Sequence, residues 1–339
     1  MRLRSTIAVL ALGAITAGFP GVAKLAEFSK KQNSDLLVYF RNANDLGVLR
    51  EGKLVPLALQ TSLSTASSCC DHRALPSLSH SGARLAYVRL QSASPHREAI
   101  SIYDFTTGKQ SDVFDAVAVW AISWSPTDDW LAIVAQSNPL SASPGESDLY
   151  VADLATKRNS RLTRGAFALK TGGYTVSPHS APSWSKSEGK LALEAQRSGS
   201  DGKNPSGNAI AIFDLQSSRF TKLTDGANPS WSPAGDVIAF LDTAGTKCFT
   251  IKPDGTDVKE LFSAQGGFLT TGGPAPIFFP VVWSPKGDEL LFHQWVDTDL
   301  VLDVYRFNLA TAKAGLVGRG ELQVVDWRRT LPQGSDSKL

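Results

Sequence analysis

The chain has 339 residues, of which 42% are hydrophobic and 19% charged, and a formal net charge of +2. A nearly neutral balance with no block of like charges excludes nucleic acid and anionic lipid as the partners that charge alone would attract. Its three cysteines are too few for a disulfide scaffold.

The first residues differ from the rest. Arg2 and Arg4 precede an apolar run from Thr6 to Phe19, and the small residues Gly21, Val22 and Ala23 follow. This is the pattern of a secretory signal, residues 1–23, with cleavage after Ala23. Counted from Thr6 to Ala23, the same run also suits an uncleaved membrane anchor. Both readings export the body to a periplasmic or extracellular space, because the basic residues stay inside. No cysteine follows the run directly, which argues against a lipid anchor. Residues 24–35 then read as a linker.

Short β-rich segments begin at Leu36–Phe40, Gly47–Leu49 and Leu54–Leu59, three strands without a preceding first one. A repeated phrase comes next: an apolar strand end, Ser, a turn, and a second apolar strand. The copies are Leu78-Ser79-His80-Ser81-Gly82, Trp124-Ser125-Pro126-Thr127-Asp128, Trp184-Ser185-Lys186-Ser187-Glu188-Gly189, Trp231-Ser232-Pro233-Ala234-Gly235 and Trp283-Ser284-Pro285-Lys286-Gly287. The repeated serines are 46, 60, 47 and 52 residues apart. Such spacing, with only strand patterns between copies, predicts the four-stranded blades of a propeller. Proline after the serine ends a strand, and glycine allows the positive φ of a tight reversal. The tryptophans are large enough to fill the wedge between blades, which makes them core.

Leu322–Trp327 reads as a first strand lacking the other three. Joined to the three N-terminal strands it completes a sixth blade and leaves no open sheet edge. The expected fold is therefore all-β: a six-bladed propeller over 36–330, closed by a C-terminal strand in the N-terminal blade. A disordered tail is expected at 331–339.

The repeat resembles the TolB-like propeller repeat, W-S-P-x-G followed by an I-A-F strand and an Asp-Leu-x-x-Gly turn. Trp231-Ser232-Pro233-Ala234-Gly235-Asp236-Val237-Ile238-Ala239-Phe240 matches it, as does Phe213-Asp214-Leu215 through Thr224-Asp225-Gly226. The resemblance covers nearly everything after residue 35 and implies the six-bladed fold. That propeller occurs in TolB, in prolyl-oligopeptidase-type peptidases and in polysaccharide lyases. The α/β domain that precedes the propeller of TolB is not expected here.

Turns after first and third strands are uniformly short, which marks one face as scaffold. The opposite face takes every long insertion: 136–147, 164–180, 196–208 and 263–280. Insertions gathered on one face commonly mark the binding side of a repeat protein. Thr171-Gly172-Gly173 and Thr271-Gly272-Gly273 recur in two of these loops and suggest a shared loop conformation. Alignment of the first strands brings His72 or Arg73, Val119, His179, Gly226, Phe278 and Glu321 to the channel mouth on that face, with Asp71 and Asp225 one position away. Asp71, His72, Arg73, His179, Asp225, Phe278 and Glu321 are the candidate binding residues. Two histidines and a carboxylate there suit a metal or a sugar acid, or ordinary polar lining. His96 and His293, further out, are expected at the surface.

No G-x-S-x-G, H-E-x-x-H or G-x-x-x-x-G-K-[ST] motif is present. The adjacent Cys69 and Cys70 and the distant Cys248 read as unpaired or structural thiols. No catalytic residue, cofactor or metal is assigned from the sequence. The leading expectation is an exported, monomeric, non-catalytic scaffold that binds a protein or an envelope component through its long-loop face. The alternative is a carbohydrate-active lyase or hydrolase acting on acidic glycans at the channel mouth.

Overall fold

Every copy of the Ser phrase folds into the same hairpin. The N–H groups of Ser79, Ser125, Ser185, Ser232 and Ser284 bond to the carbonyl oxygen of the residue five positions on. Their hydroxyls accept the N–H of that same residue at 3.1–3.3 Å. Serine is therefore selected because its short side chain closes the turn from within. The third residue after it is left-handed: φ is 72° at Gly82, 82° at Gly235 and 76° at Gly287. In two blades a non-glycine takes this place, with φ of 65° at Asp128 and 59° at Glu188. Their carboxylates reach the turn of the preceding blade. Asp128 accepts the N–H groups of His80 and Ser81 at 2.5 and 3.0 Å, and Glu188 accepts that of Thr127 at 2.7 Å.

The computed structural model describes residues 20–31, 35–41, 45–59, 74–136, 147–163, 167–169, 172–178, 180–197, 207–263, 281–296, 301–318 and 323–329. Their strands form six antiparallel sheets, one per blade. Blade 1 runs from Gln323–Arg329 at the channel through Asp35–Arg41 and Asp45–Arg50 to Lys53–Pro56 at the rim. Blade 2 comprises Ser77–Leu78, Arg84–Ala93, His96–Asp104 and Lys109–Ala116. Blade 3 comprises Ala118–Trp124, Trp130–Gln136, Asp148–Asp153 and Arg158–Arg161. Blade 5 is built from Ala227–Trp231, Ile238–Leu241, Lys247–Ile251 and Lys259–Ser263. Blade 6 is built from Val282–Trp283, Glu289–Val296, Val301–Asn308 and Lys313–Gly318.

Blade 4 is larger. Its strand Lys190–Arg197 pairs outward with Asn208–Asp214, which pairs with Arg219–Asp225. On the channel side it pairs with two segments, Ser183–Trp184 along one half and Gly172–Val176 along the other. Gly172–Val176 is also one arm of a hairpin with Phe167–Leu169. An insertion expected as loop thus adds strand to this blade on the long-loop side.

Ring closure is as the sequence predicts. Gln323–Arg329 lies antiparallel to Asp35–Arg41, with Leu37 opposite Trp327 and an irregularity between Val38 and Tyr39. Trp124, Trp184, Trp231, Trp283 and Trp327 are all buried. Three of them turn the indole N–H onto a backbone carbonyl of the preceding blade: Trp124 on Ser77, Trp184 on Ser123 and Trp283 on Ser230, at 2.9–3.1 Å. The repeated tryptophan therefore joins blades by burial and by a hydrogen bond together.

Of residues 24–35, expected as a linker, 24–31 belong to a helix. Helix α1 spans Pro20–Lys31, and the expected cleavage point after Ala23 falls within it. Leu25, Phe28 and Ser29 share one face by the i, i+3, i+4 rule and are buried, while Lys24, Glu27, Lys30 and Lys31 are exposed. The apolar face enters the seam between blades 6 and 1, where Leu25 and Phe28 join Leu37, Leu49, Leu291, Val304 and Trp327. Phe28 meets Trp327 edge-on at 5.4 Å between ring centroids. At Gly52 (φ 78°) a Cβ would stand 3.0 Å from the carbonyl oxygen of Ala26, so glycine lets the helix seat here. Among the described residues no helix is long and apolar enough to cross a membrane.

Candidate functional site: the long-loop face

Among the described residues the two faces differ. On the short-turn face the chain reverses in a few residues at every described first-to-second and third-to-fourth turn. The other face carries the blade 4 hairpin, and the strands that end at Gln136 and Ser263 stop on its side.

Of the candidate binding residues, Asp225 is described. It ends the outer strand of blade 4, exposed, with its carboxylate 2.5 Å from Lys222 Nζ. Gly226 follows and carries the chain inward, its N–H bonded to the carbonyl of Asn208. A Cβ at 226 would stand 2.7 Å from the carbonyl oxygen of Leu241, so the crossing requires glycine. Val119 of the expected ring is buried. Asp71, His72, Arg73, His179, Phe278 and Glu321 lie outside the described residues, as do Cys69, Cys70 and the second Thr-Gly-Gly. Cys248 is a free, buried thiol, and burial pushes its pKa up.

Beneath this face lies a set of buried ionisable side chains, Glu98, Asp148, Glu194, His293 and Asp303. Glu98 Oε2 accepts the N–H of Val119 at 2.8 Å, and its Oε1 lies 3.4 Å from His96. Asp148 is held by Arg161 and, at 2.9 Å, by the hydroxyl of Thr163. Glu194 is the most connected. Its Oε1 accepts from Ser177 Oγ at 2.9 Å and Asn208 Nδ2 at 2.8 Å, and its Oε2 from the N–H of Asn228 at 2.9 Å. Burial raises the pKa of Glu194, opposed by the donors from Asn228 and Ser177. Asn228 is buried with φ 52° on an irregular stretch of the blade 5 inner strand.

His293 corrects the expectation of a surface position: it is only 5% exposed. His96 is exposed as expected. The strand bearing His293 continues to Val296, and alternation places its side chain on the face of Leu291. In each network for which partners are described, the side chain bonds backbone or a neighbour across or within blades. Glu98 and Glu194 thereby cap backbone N–H groups of the next blade's inner strand. Among the described residues no group of three or more His, Cys, Asp or Glu is placed to hold a metal ion.

No family model matches the sequence, and no curated protein matches it. Solved structures do. TolB from Acinetobacter baumannii superposes with a TM-score of 0.60 at 14% identity, over 92% of this chain and 68% of that one. A putative TolB from Agrobacterium tumefaciens gives 0.54 at 15% identity, over 87% and 98%. The fold is the TolB-type propeller. An oligogalacturonate lyase from Vibrio parahaemolyticus shares the architecture more loosely, with a TM-score of 0.51 at 10% identity over 78% and 72% of the two chains. At these identities the likeness is one of fold.

Proposed function

We propose that this protein is an exported, non-catalytic propeller scaffold that holds a protein or another component of the cell envelope against its long-loop face. The observation that carries the reading is the asymmetry of the faces. One consists of near-identical turns locked by their own serines, whereas the other carries the extra hairpin of blade 4 and, by the spacing of the repeats in the sequence, the long insertions. A repeat scaffold varies where it meets its partner and stays regular where it does not. Glu98, Glu194 and His293 beneath the face each accept a backbone N–H, which suits a rigid platform. Export rests on the basic-then-apolar start of the sequence. The test is capture from envelope extract with the purified chain as bait. A partner retained by the native protein should be lost when 164–180 and 263–280 are shortened. Undiminished capture by the shortened protein would overturn the assignment of the face.

A further inference from the structure

The seam between blades 6 and 1 differs from the three other seams whose caps are described in the group that caps its inner-strand N–H. From blade 2 to blade 3 the cap is Glu98 on Val119, at 2.8 Å. From blade 4 to blade 5 the caps are Glu194 on Asn228 at 2.9 Å and Ser183 Oγ on Trp231 at 2.8 Å. From blade 1 to blade 2 it is Asp326 Oδ2 on Leu78, at 2.8 Å. At the closing seam the acceptor is an imidazole: His293 Nε2 receives the N–H of Val324 at 3.2 Å, in a buried position. A carboxyl group that gains a proton keeps a carbonyl oxygen to accept with. An imidazole protonated at Nε2 becomes a donor there, and turns an N–H and a positive charge onto the N–H it had capped. Of these capped seams, only the one that closes the ring loses its acceptor on protonation.

We propose that His293 is an acid-sensitive latch on ring closure, whose protonation opens the seam between blades 6 and 1 and frees Gln323–Arg329 while the other seams stay shut.

Glu289, on the same strand and face, lies four residues away, about 13 Å along the strand, and is turned to Arg306 at 3.4 Å and Asn308 at 3.2 Å. Arg306 on the adjacent strand also reaches over the ring of Phe28. Asp303 and Tyr305 flank Val304, the cross-strand partner of His293, and alternation turns them to the opposite face of the sheet, toward blade 5. On blade 1, Asp326 serves Leu78 and lies 3.3 Å from Arg328, Asp35 takes the indole N–H of Trp327, and Arg329 is exposed. Lys24, Glu27, Lys30 and Lys31 of α1 are exposed.

Burial lowers the pKa of His293 from its ordinary 6.5 to about 3. The open seam restores the ordinary value, so the open form binds the proton and the closed form does not. Stability of the seam is therefore full above about pH 6.5 and falls about tenfold in equilibrium constant for each unit below it, down to about pH 3.

Hydrogen exchange on the full chain at pH 7.5 and 5.0, corrected for the intrinsic effect of pH, tests the latch. Peptides covering 323–329 should lose up to about 30-fold protection at pH 5.0, while peptides covering 84–104 of blade 2 should not. His293→Gln retains an acceptor and cannot titrate in this range; with His80→Gln in both proteins, because burial also lowers the pKa of His80 beside Arg328 of the closing strand, the closing strand of the His293→Gln variant should show no acid response. An equal acid response in the variant, or loss of protection in all blades together, would overturn the proposal. Should the variant fail to fold, the ring nitrogen shifts of His293 in the native protein decide. Titration near 6.5 while 323–329 stays protected would refute a latch.

Discussion

Replacing Trp327 with alanine should cost more than any other single truncation at the closing seam. The side chain is fully buried, meets Phe28 at 5.4 Å and packs with Leu37, Leu291 and Val304. Tryptophan-to-alanine changes in cores cost about 3–5 kcal/mol through lost transfer energy and the cavity left behind. The substitution also removes the indole donor, 2.7 Å from Asp35 Oδ2. Asp35 is partly buried, and burial already raises its pKa, so about 1 kcal/mol is added when that bond goes. The sum, about 4–6 kcal/mol, is a large part of the roughly 5–15 kcal/mol by which folded domains are stable. At about 2 °C per kcal/mol for a chain of this size, Tm should fall by about 8–12 °C. The assay is thermal unfolding followed by near-ultraviolet circular dichroism, with Asp35→Asn as the comparison. That variant keeps an acceptor for the indole and should shift Tm far less. A Trp327→Ala protein melting within about 1 °C of the native one would refute the reasoning, because the closing strand would then lie outside the core.

Further outcomes follow from other parts of the fold. Asp128→Gly should relieve about 1 kcal/mol of left-handed strain yet destabilise by about 1–3 kcal/mol net, since two N–H groups lose a charged acceptor; urea unfolding measures it. Glu188→Gly loses a single exposed hydrogen bond and should be neutral or slightly stabilising by the same assay. Glu194→Ala strands the Asn228 N–H and the Asn208 amide and should destabilise by about 2–4 kcal/mol. Cys248 should resist iodoacetamide in the native protein and label only on unfolding, as peptide mapping would read, because burial keeps it a thiol.

Much of the fold was legible because the Ser phrase carries its own physics. Serine closes the turn, a left-handed residue reverses it and tryptophan fills the seam, so five copies announce five blades. The half-blades at the two ends were legible for the complementary reason that each lacked what the other had. In the third turn Gly189 carries the usual sequence signature, but the left-handed residue is Glu188, offset by its bond to the preceding blade. Helix α1 is hidden in the sequence by the apolar run that ends at Ala23, after which 24–35 reads as a linker, although Leu25 and Phe28 stand three apart among charged residues. His293 stands close to a loop in the sequence, which suggests the surface, yet alternation from Leu291 puts it on the buried face. The hairpin of blade 4 is three residues against five and rich in glycine, too short for a strand period to emerge. The candidate site was the least legible part, since a ring assembled from six blades leaves no local pattern in any one of them. Asp225 shows the difficulty: one position from the expected mouth in the alignment, it ends an outer strand and pairs with Lys222.

The measurement that tests the proposed function most directly is photocrosslinking in the envelope with a benzoylphenylalanine placed at one exposed position at a time. Asp225 and His96 report the long-loop face, and Thr107 and Lys157 the short-turn face; all four are exposed. A scaffold that works through its long-loop face should give a discrete adduct from positions 225 and 96 and none from 107 and 157. Adducts confined to 107 and 157 would contradict it.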